Sequence, residues 1–151
     1  LHTKTFENSL NMGLIPWLDG CRVLRRNVRV GNSIIDYLMG CDDGLIYLEM
    51  KSAVMRVGEG LRYASYPDCP SKRARRQIKD LMRCDGRRVL MFVAAIPSSI
   101  GVKINSDVDR ELYKTISMAR DGGVEMRGIG IHYNPKDSFV YLCDPDLRVY
   151  V

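Results

Sequence analysis

Residues Gly31 to Ala53 read GNSIIDYLMGCDDGLIYLEMKSA, and this stretch decides the fold. Two short apolar segments flank the turn-like Cys41-Asp42-Asp43-Gly44, and each carries charge where a buried strand should not: Asp36 in one, Glu49 and Lys51 at the end of the other. Desolvating a carboxylate or an ammonium costs several kcal/mol unless it is paired or meets a cation. If Cys41 to Gly44 form a four-residue hairpin loop, Gly40 faces Leu45. Counting back places Asp36 opposite Glu49, with the two side chains on one face about 5 Å apart. Glu49 and Lys51, at i and i+2, share that face. A one-residue slip would send the two acids to opposite faces, so the site depends on this register.

Two adjacent carboxylates repel unless a cation joins them, and carboxylates with water suit hard Mg²⁺ or Mn²⁺. Such an ion polarises a phosphate and lowers the pKa of its water, and Lys51 would steady the attacking water or the developing charge. The plain alternative is a Glu-Lys pair at a strand end, with Asp36 in an ordinary ion pair.

Working outward, Ser71 to Cys84 (SKRARRQIKDLMRC) reads as an amphipathic helix capped by Ser71. Ala74, Ile78, Leu81 and Met82 form its apolar stripe. Lys72, Arg75, Arg76, Lys79 and Arg83 project opposite, with Arg73 to the side. Such a stripe neutralises phosphates and releases counterions, unless it is simply a solvated helix face. With Arg25, Arg26 and Arg29 close to the acidic strand, DNA, or RNA in second place, is the expected partner. No aromatic residue interleaves with the helix, so binding is expected to be largely independent of sequence.

The remaining elements follow from periodicity. Thr5 to Leu18 looks helical with a break near Pro16, and strands are expected at Val23–Val30, Ser33–Met39 and Leu45–Ala53. Met55 to Pro70 reads as a loop-rich segment overhanging the site. Arg88 to Ala95 is a strand whose continuous apolar run suits burial on both faces. Asp107 is expected to cap a second helix with Val108, Leu112, Ile116 and Ala119 inward and Gly122-Gly123 at its end. Val124 to Tyr133 and Ser138 to Cys143 supply further strands. Strand-helix-strand-helix-strand in the second half implies right-handed crossovers and a parallel portion. The expected fold class is α/β, a mixed central sheet flanked by helices.

The chain has 151 residues, 46% of them hydrophobic, and a formal net charge of +5, which fits one globular domain spanning 1–151. It opens on Leu1 rather than Met, as a piece of a longer protein would. No secretory pattern or membrane-length apolar run is present, so the expected location is the cytoplasm, with no membrane partner. Five cysteines without C-x-x-C spacing argue against a disulfide framework or a zinc site and favour reduced packing thiols. His132 reads as a strand residue rather than a base. Asp68 is equally a further acid of the site or a turn residue bonded to its own backbone. There is no G-x-S-x-G elbow and no Walker loop.

Asp36, twelve further residues and then Glu49-Met50-Lys51 resemble the D-x(n)-E-x-K signature of the PD-(D/E)xK nuclease superfamily. The surroundings are similar to the sugar fermentation stimulation protein A (SfsA) family: Gly31 to Tyr37, Leu48 to Ser52, Tyr66-Pro67-Asp68 followed by Lys72 to Arg76, Val89 to Val93, and Val108 to Leu112, with Thr3 and Asn8 as an early T-x(n)-N element. The resemblance covers nearly all of the chain, but only the nuclease-like C-terminal domain of the family; nothing here corresponds to its N-terminal OB-like domain. It implies a restriction-endonuclease-like fold, Asp36, Glu49 and Lys51 as catalytic residues, Asp36 and Glu49 as ligands of Mg²⁺ or Mn²⁺, and Lys72, Arg73, Arg75, Arg76 and Lys79 on nucleic acid. The chain departs from the family pattern at Asn27 (an acid there), Ile34 (Arg), Gln77 (His) and Ala95-Ile96 (Gln-Arg). Two functions therefore compete. The intact Asp36/Glu49/Lys51 triplet favours a metal-dependent DNA nuclease, whereas Asn27 and Gln77 favour a catalytically weak or inactive DNA-binding regulator on a nuclease scaffold. A structural domain whose basic helix binds a protein is a third, remote class.

Overall fold

The computed structural model describes residues 2–151. Along the chain it forms α1 (His2–Asn11), a 3₁₀ turn (Pro16–Leu18), β1 (Arg22–Val30), β2 (Ser33–Cys41), β3 (Gly44–Ala53), β4 (Met55–Val57), a second 3₁₀ turn (Glu59–Leu61) and β5 (Tyr63–Tyr66). There follow α2 (Lys72–Met82), β6 (Arg87–Ala94), β7 (Gly101–Ile104), α3 (Arg110–Asp121), β8 (Glu125–Asn134), β9 (Phe139–Leu147) and β10 (Val149–Tyr150). Six strands make a mixed sheet of order β1-β2-β3-β6-β8-β9, and four make a small sheet of order β10-β7-β5-β4. β3, β6 and β8 run parallel, joined through α2 and α3, as the strand-helix alternation predicts. β6 is buried along Val89 to Ala94 because both of its faces are covered.

The apolar side chains divide into two cores. Ala74, Ile78 and Leu81 of α2 and Leu112 and Ile116 of α3 pack with Leu90 and Phe92 of β6 and with the inner face of the small sheet. Phe6 and Leu10 of α1 pack with Val89, Met91 and Val93 from the other face of β6. The expected α/β class, a mixed central sheet flanked by helices, is therefore the fold observed.

Several boundaries move for local reasons. The first helix stops at Asn11 instead of running to Leu18: Gly13 takes a left-handed φ of +71°, which glycine adopts freely, and Pro16 opens a separate 3₁₀ turn. The second crossover helix is capped by Asp109, whose side chain accepts from the Leu112 N–H, and not by Asp107. Met55 to Pro70 is no simple loop, for it contains β4 and β5. Cys21 and Cys41 form a disulfide, against the expectation of reduced thiols, while Cys69, Cys84 and Cys143 are free. Arg22 pairs with Gly40 across β1 and β2, so the next residues outward are Cys21 and Cys41; cross-strand neighbours of this kind leave no mark in sequence spacing. Among the described residues no helix is long and apolar enough to cross a membrane.

Candidate functional site

The β2–β3 hairpin turns on Asp42 and Asp43, two residues shorter than the expected loop, because Cys41 pairs with Gly44. The register is nevertheless the expected one, with Gly40 opposite Leu45, and the ladder runs back to Tyr37 opposite Leu48. It stops at Asp36. The Asp36 N–H donates to Glu49 Oε1 at 3.1 Å, and the Met50 N–H donates to Asp36 Oδ2 at 2.8 Å. Two carboxylates thus take the place of backbone carbonyls between the strands, which satisfies the amides that the broken ladder would otherwise strand.

The break also reverses the faces of β2. Ser33 bonds Asp80 of α2, and Ile35 lies in the core under α2 and α3. Tyr37 and Met39 lie in the core under α1, although regular alternation would keep Ile35 and Tyr37 on one side. On the other flank of Asp36, Asn27 of β1 has a left-handed φ of 55°, a conformation that Asn tolerates better than most residues. Asp36 therefore sits at a kink where β2 is loosened from both neighbours.

Glu49 is 2% exposed. Burial pushes its pKa up to about 7; Lys51 opposes the rise and Asp36 adds to it. Lys51 Nζ lies 2.9 Å from Glu49 Oε2 and donates to Gln77 Oε1 at 2.5 Å. Gln77, buried on α2, donates from Nε2 to the Ile34 carbonyl at 3.1 Å. The residue at which the chain departs from the family's His thus clamps Lys51 to α2 and β2. Asp36, Glu49 and Lys51 are brought together.

Asp36 also opens onto a cleft of about 200 Å³ lined by Thr3, Glu7, Arg26, Asn27 and Tyr37. Glu7 is a site residue that sequence reasoning missed: one acid on a mostly polar helix carries no signal until β1 and β2 are placed beside it. Both of its oxygens accept from Arg26, and the Tyr37 hydroxyl donates to Oε2 at 2.8 Å. The Arg26 bond holds the Glu7 pKa below the usual carboxylate range, and burial with the Glu7 contact raises that of Tyr37. Arg26 is thereby committed to Glu7, while Arg25 and Arg29 are exposed on the edge strand.

On α2, Lys72, Arg73, Arg76 and Lys79 are exposed, as the helical pattern predicts. Arg75 is not on the open stripe; it is half-buried, with Nη1 3.4 Å from Asp109 Oδ1. Ala74, Ile78 and Leu81 are buried beneath the helix.

Asp36 and Glu49 are a donor set suited to a hard cation that takes one or two protein carboxylates and completes its shell with water and phosphate. Among the described residues no group of three or more His, Cys, Asp or Glu could hold a metal ion. The pair fits a weak site that substrate would complete, not a closed protein cage.

Three comparisons bear on this geometry. Residues 1–137 match the family model described as the sugar fermentation stimulation protein RE domain. A sugar fermentation stimulation protein homolog of Pyrococcus furiosus is 40% identical over 144 residues, covering 93% of this chain and 61% of the relative. One from Archaeoglobus fulgidus is 43% identical over 154 residues, covering 100% and 63%. The structure of Pyrococcus furiosus SfsA in complex with Ca²⁺ is similar with a TM-score of 0.91 at 36% identity, over 99% of this chain and 64% of that one. The chain spans less than two thirds of the length of these relatives. With a family model matched over most of its length, this chain belongs to the sugar fermentation stimulation protein family.

Proposed function

We propose that this chain is a DNA-binding domain with a Mg²⁺- or Mn²⁺-dependent phosphodiesterase site, in which Asp36 and Glu49 hold the cation and Lys51 acts beside it. The observation that carries it is the crossing of the Asp36 and Glu49 carboxylates at the break in the β2–β3 ladder, with Lys51 2.9 Å from Glu49. A strand that gives up backbone pairing to bring two acids together, one of them 2% exposed, supports a cation binding there beside Lys51. That Pyrococcus furiosus SfsA was solved with Ca²⁺, another hard divalent cation, supports this. A bound Mg²⁺ or Mn²⁺ would supply Lewis acidity and an acidified water. The chain's own part is positional: Gln77 and Glu49 fix Lys51 where it can donate to an incoming water or a phosphate oxygen. The exposed cations of α2 would carry the duplex, through phosphates and without reading bases.

A second function, DNA binding without efficient cleavage, is favoured by one observation. Lys51 already neutralises Glu49, and Asn27 supplies no further charge to the cleft. Nicking of supercoiled plasmid separates the two. Wild type with Mg²⁺ or Mn²⁺ should convert plasmid to the open form, EDTA should stop it, and Asp36→Ala should lower the rate at least a hundredfold while duplex binding in EDTA persists. Wild type that binds duplex but cuts nothing with any divalent metal would leave the binding module.

A further inference from the structure

We propose that the outer face of the small sheet binds single-stranded nucleic acid by stacking unpaired bases on a platform of Tyr63 and Tyr150, a surface additional to the cleft and dependent on the nucleic-acid function proposed for it. The inner face of this sheet, with Ala64, Tyr66, Val102 and Ile104, is buried in the core. Alternation turns Tyr63 of β5 and Lys103 of β7 the other way, and Tyr150 of β10 pairs in register with Lys103. The two tyrosine rings meet edge to face, 5.7 Å between centroids at 85°. They meet above Gly101, where a Cβ would lie 2.9 Å from Tyr150 and 3.3 Å from Tyr63, so the platform requires glycine at that position.

Cations surround the rings. Lys103 Nζ stands 4.0 Å over the Tyr63 ring and the Arg148 guanidinium 5.1 Å over that of Tyr150, with Arg62 exposed next to Tyr63. The acids nearby, Glu59 and Asp107, line cavities at the borders of the face. Tyr150 remains 39% exposed.

Rings interleaved with cations match a polymer that alternates flat bases with phosphates, and they favour it over an apolar protein partner. Each base presents a π face to stack, and the cations meet the backbone, so recognition tolerates any sequence. A sheet face bearing aromatic side chains is one solution used for unpaired strands. Duplex bases are stacked on one another and cannot use it. Nothing in local sequence announces this surface, because 62–63, 101–103 and 148–150 meet only in the fold.

The test is fluorescence anisotropy in EDTA with a labelled oligodeoxythymidine and a labelled duplex of equal length. Tyr150→Ala should weaken oligodeoxythymidine binding about tenfold, Tyr150→Phe should retain it, and neither should alter duplex affinity. Equal loss on both ligands, or no loss on either, would overturn the proposal. So would a change of sedimentation on Tyr150→Ala without loss of oligonucleotide, which would make the face a contact between copies. If wild type binds duplex but not the single strand, this proposal alone falls; if it binds neither, the nucleic-acid function of the cleft falls with it.

Discussion

Glu49 shows how a single residue can oppose the fold that holds it. It is almost wholly buried, and burial pushes its pKa up to about 7 in spite of Lys51 at 2.9 Å. An acid whose folded pKa is raised binds its proton more tightly folded than unfolded, so stability falls as pH rises from the unfolded value near 4.5 to about 7 and stays low above. A rise of this size corresponds to at most about 3 kcal/mol. Glu49→Gln keeps an oxygen for the Asp36 amide and removes the buried charge. In EDTA the variant should therefore melt higher than wild type at pH 8, and this advantage should shrink toward pH 5. An offset that is constant across that range would mean that Glu49 is comfortably ionised in the metal-free protein. Stability lost by keeping this acid is what the proposed cation site at Glu49 would require.

Among elements, the two crossover helices are joined by one carboxylate. Asp109 caps α3 through the Leu112 amide at 3.0 Å, accepts from the Ser71 amide at the start of α2 at 3.0 Å, and faces Arg75 at 3.4 Å. The Ser71 and Leu112 amides, with Arg75 adding, hold its pKa below the usual carboxylate range. Its contribution is complete at neutral pH and disappears as pH falls through the lowered folded value. Asp109→Ala should cost about 1–2 kcal/mol at pH 7, the range of a lost N-cap. Urea titrations at pH 7 and pH 3 should show the cost shrinking at the lower pH; a cost independent of pH would mean that the charge plays no part. This junction also shows why some elements are legible in a sequence and others are not. The β2–β3 hairpin is readable because turn residues and apolar runs agree, and its register survives a loop two residues shorter than expected, since the shortening is symmetric. The cap lies at Asp109 and not at Asp107 because the Asp109 carboxylate also meets the Ser71 amide, a contact made only in the fold, and Val108, expected on the inner stripe, falls ahead of the helix. β5 and β7 are four-residue strands joined by parallel pairing across a long separation, which periodicity does not register. At the site, Asp36, Glu49 and Lys51 stood out as charges in apolar runs, whereas Glu7 matters only through Arg26 and Tyr37.

For the whole molecule, the net charge of +5 matters less than its distribution. Exposed Lys72, Arg73, Arg76 and Lys79 line α2, with Arg83 at its C-cap 3.7 Å from Asp80, and Arg25 and Arg29 line the edge strand β1. α2 packs against β2, where Ser33 bonds Asp80 and a Cβ at Gly31 would stand 2.9 Å from the Asp80 carboxylate, so helix and strand approach closely near the kink at Asp36. Basic side chains thus stand on α2, which packs on β2, and on β1, which pairs with β2, and under the proposed function a polyanion bound to them would be brought to the strand that carries Asp36. Arg75 and Arg26 contribute less to this field, since Asp109 and Glu7 neutralise them. The reversal that tests it is therefore Arg76→Glu with Lys79→Glu, two exposed positions clear of the helix cap and of Gln77. It should weaken duplex binding in EDTA for all sequences alike. It should also flatten the dependence of log affinity on log salt, by about 0.9 for each phosphate that is no longer neutralised. The same variant should keep the wild-type melting temperature within a degree or two, because neither side chain has a buried partner. A duplex affinity and salt slope left unchanged by the double reversal would take α2 out of the interface, and the approach to Asp36 would then run along β1.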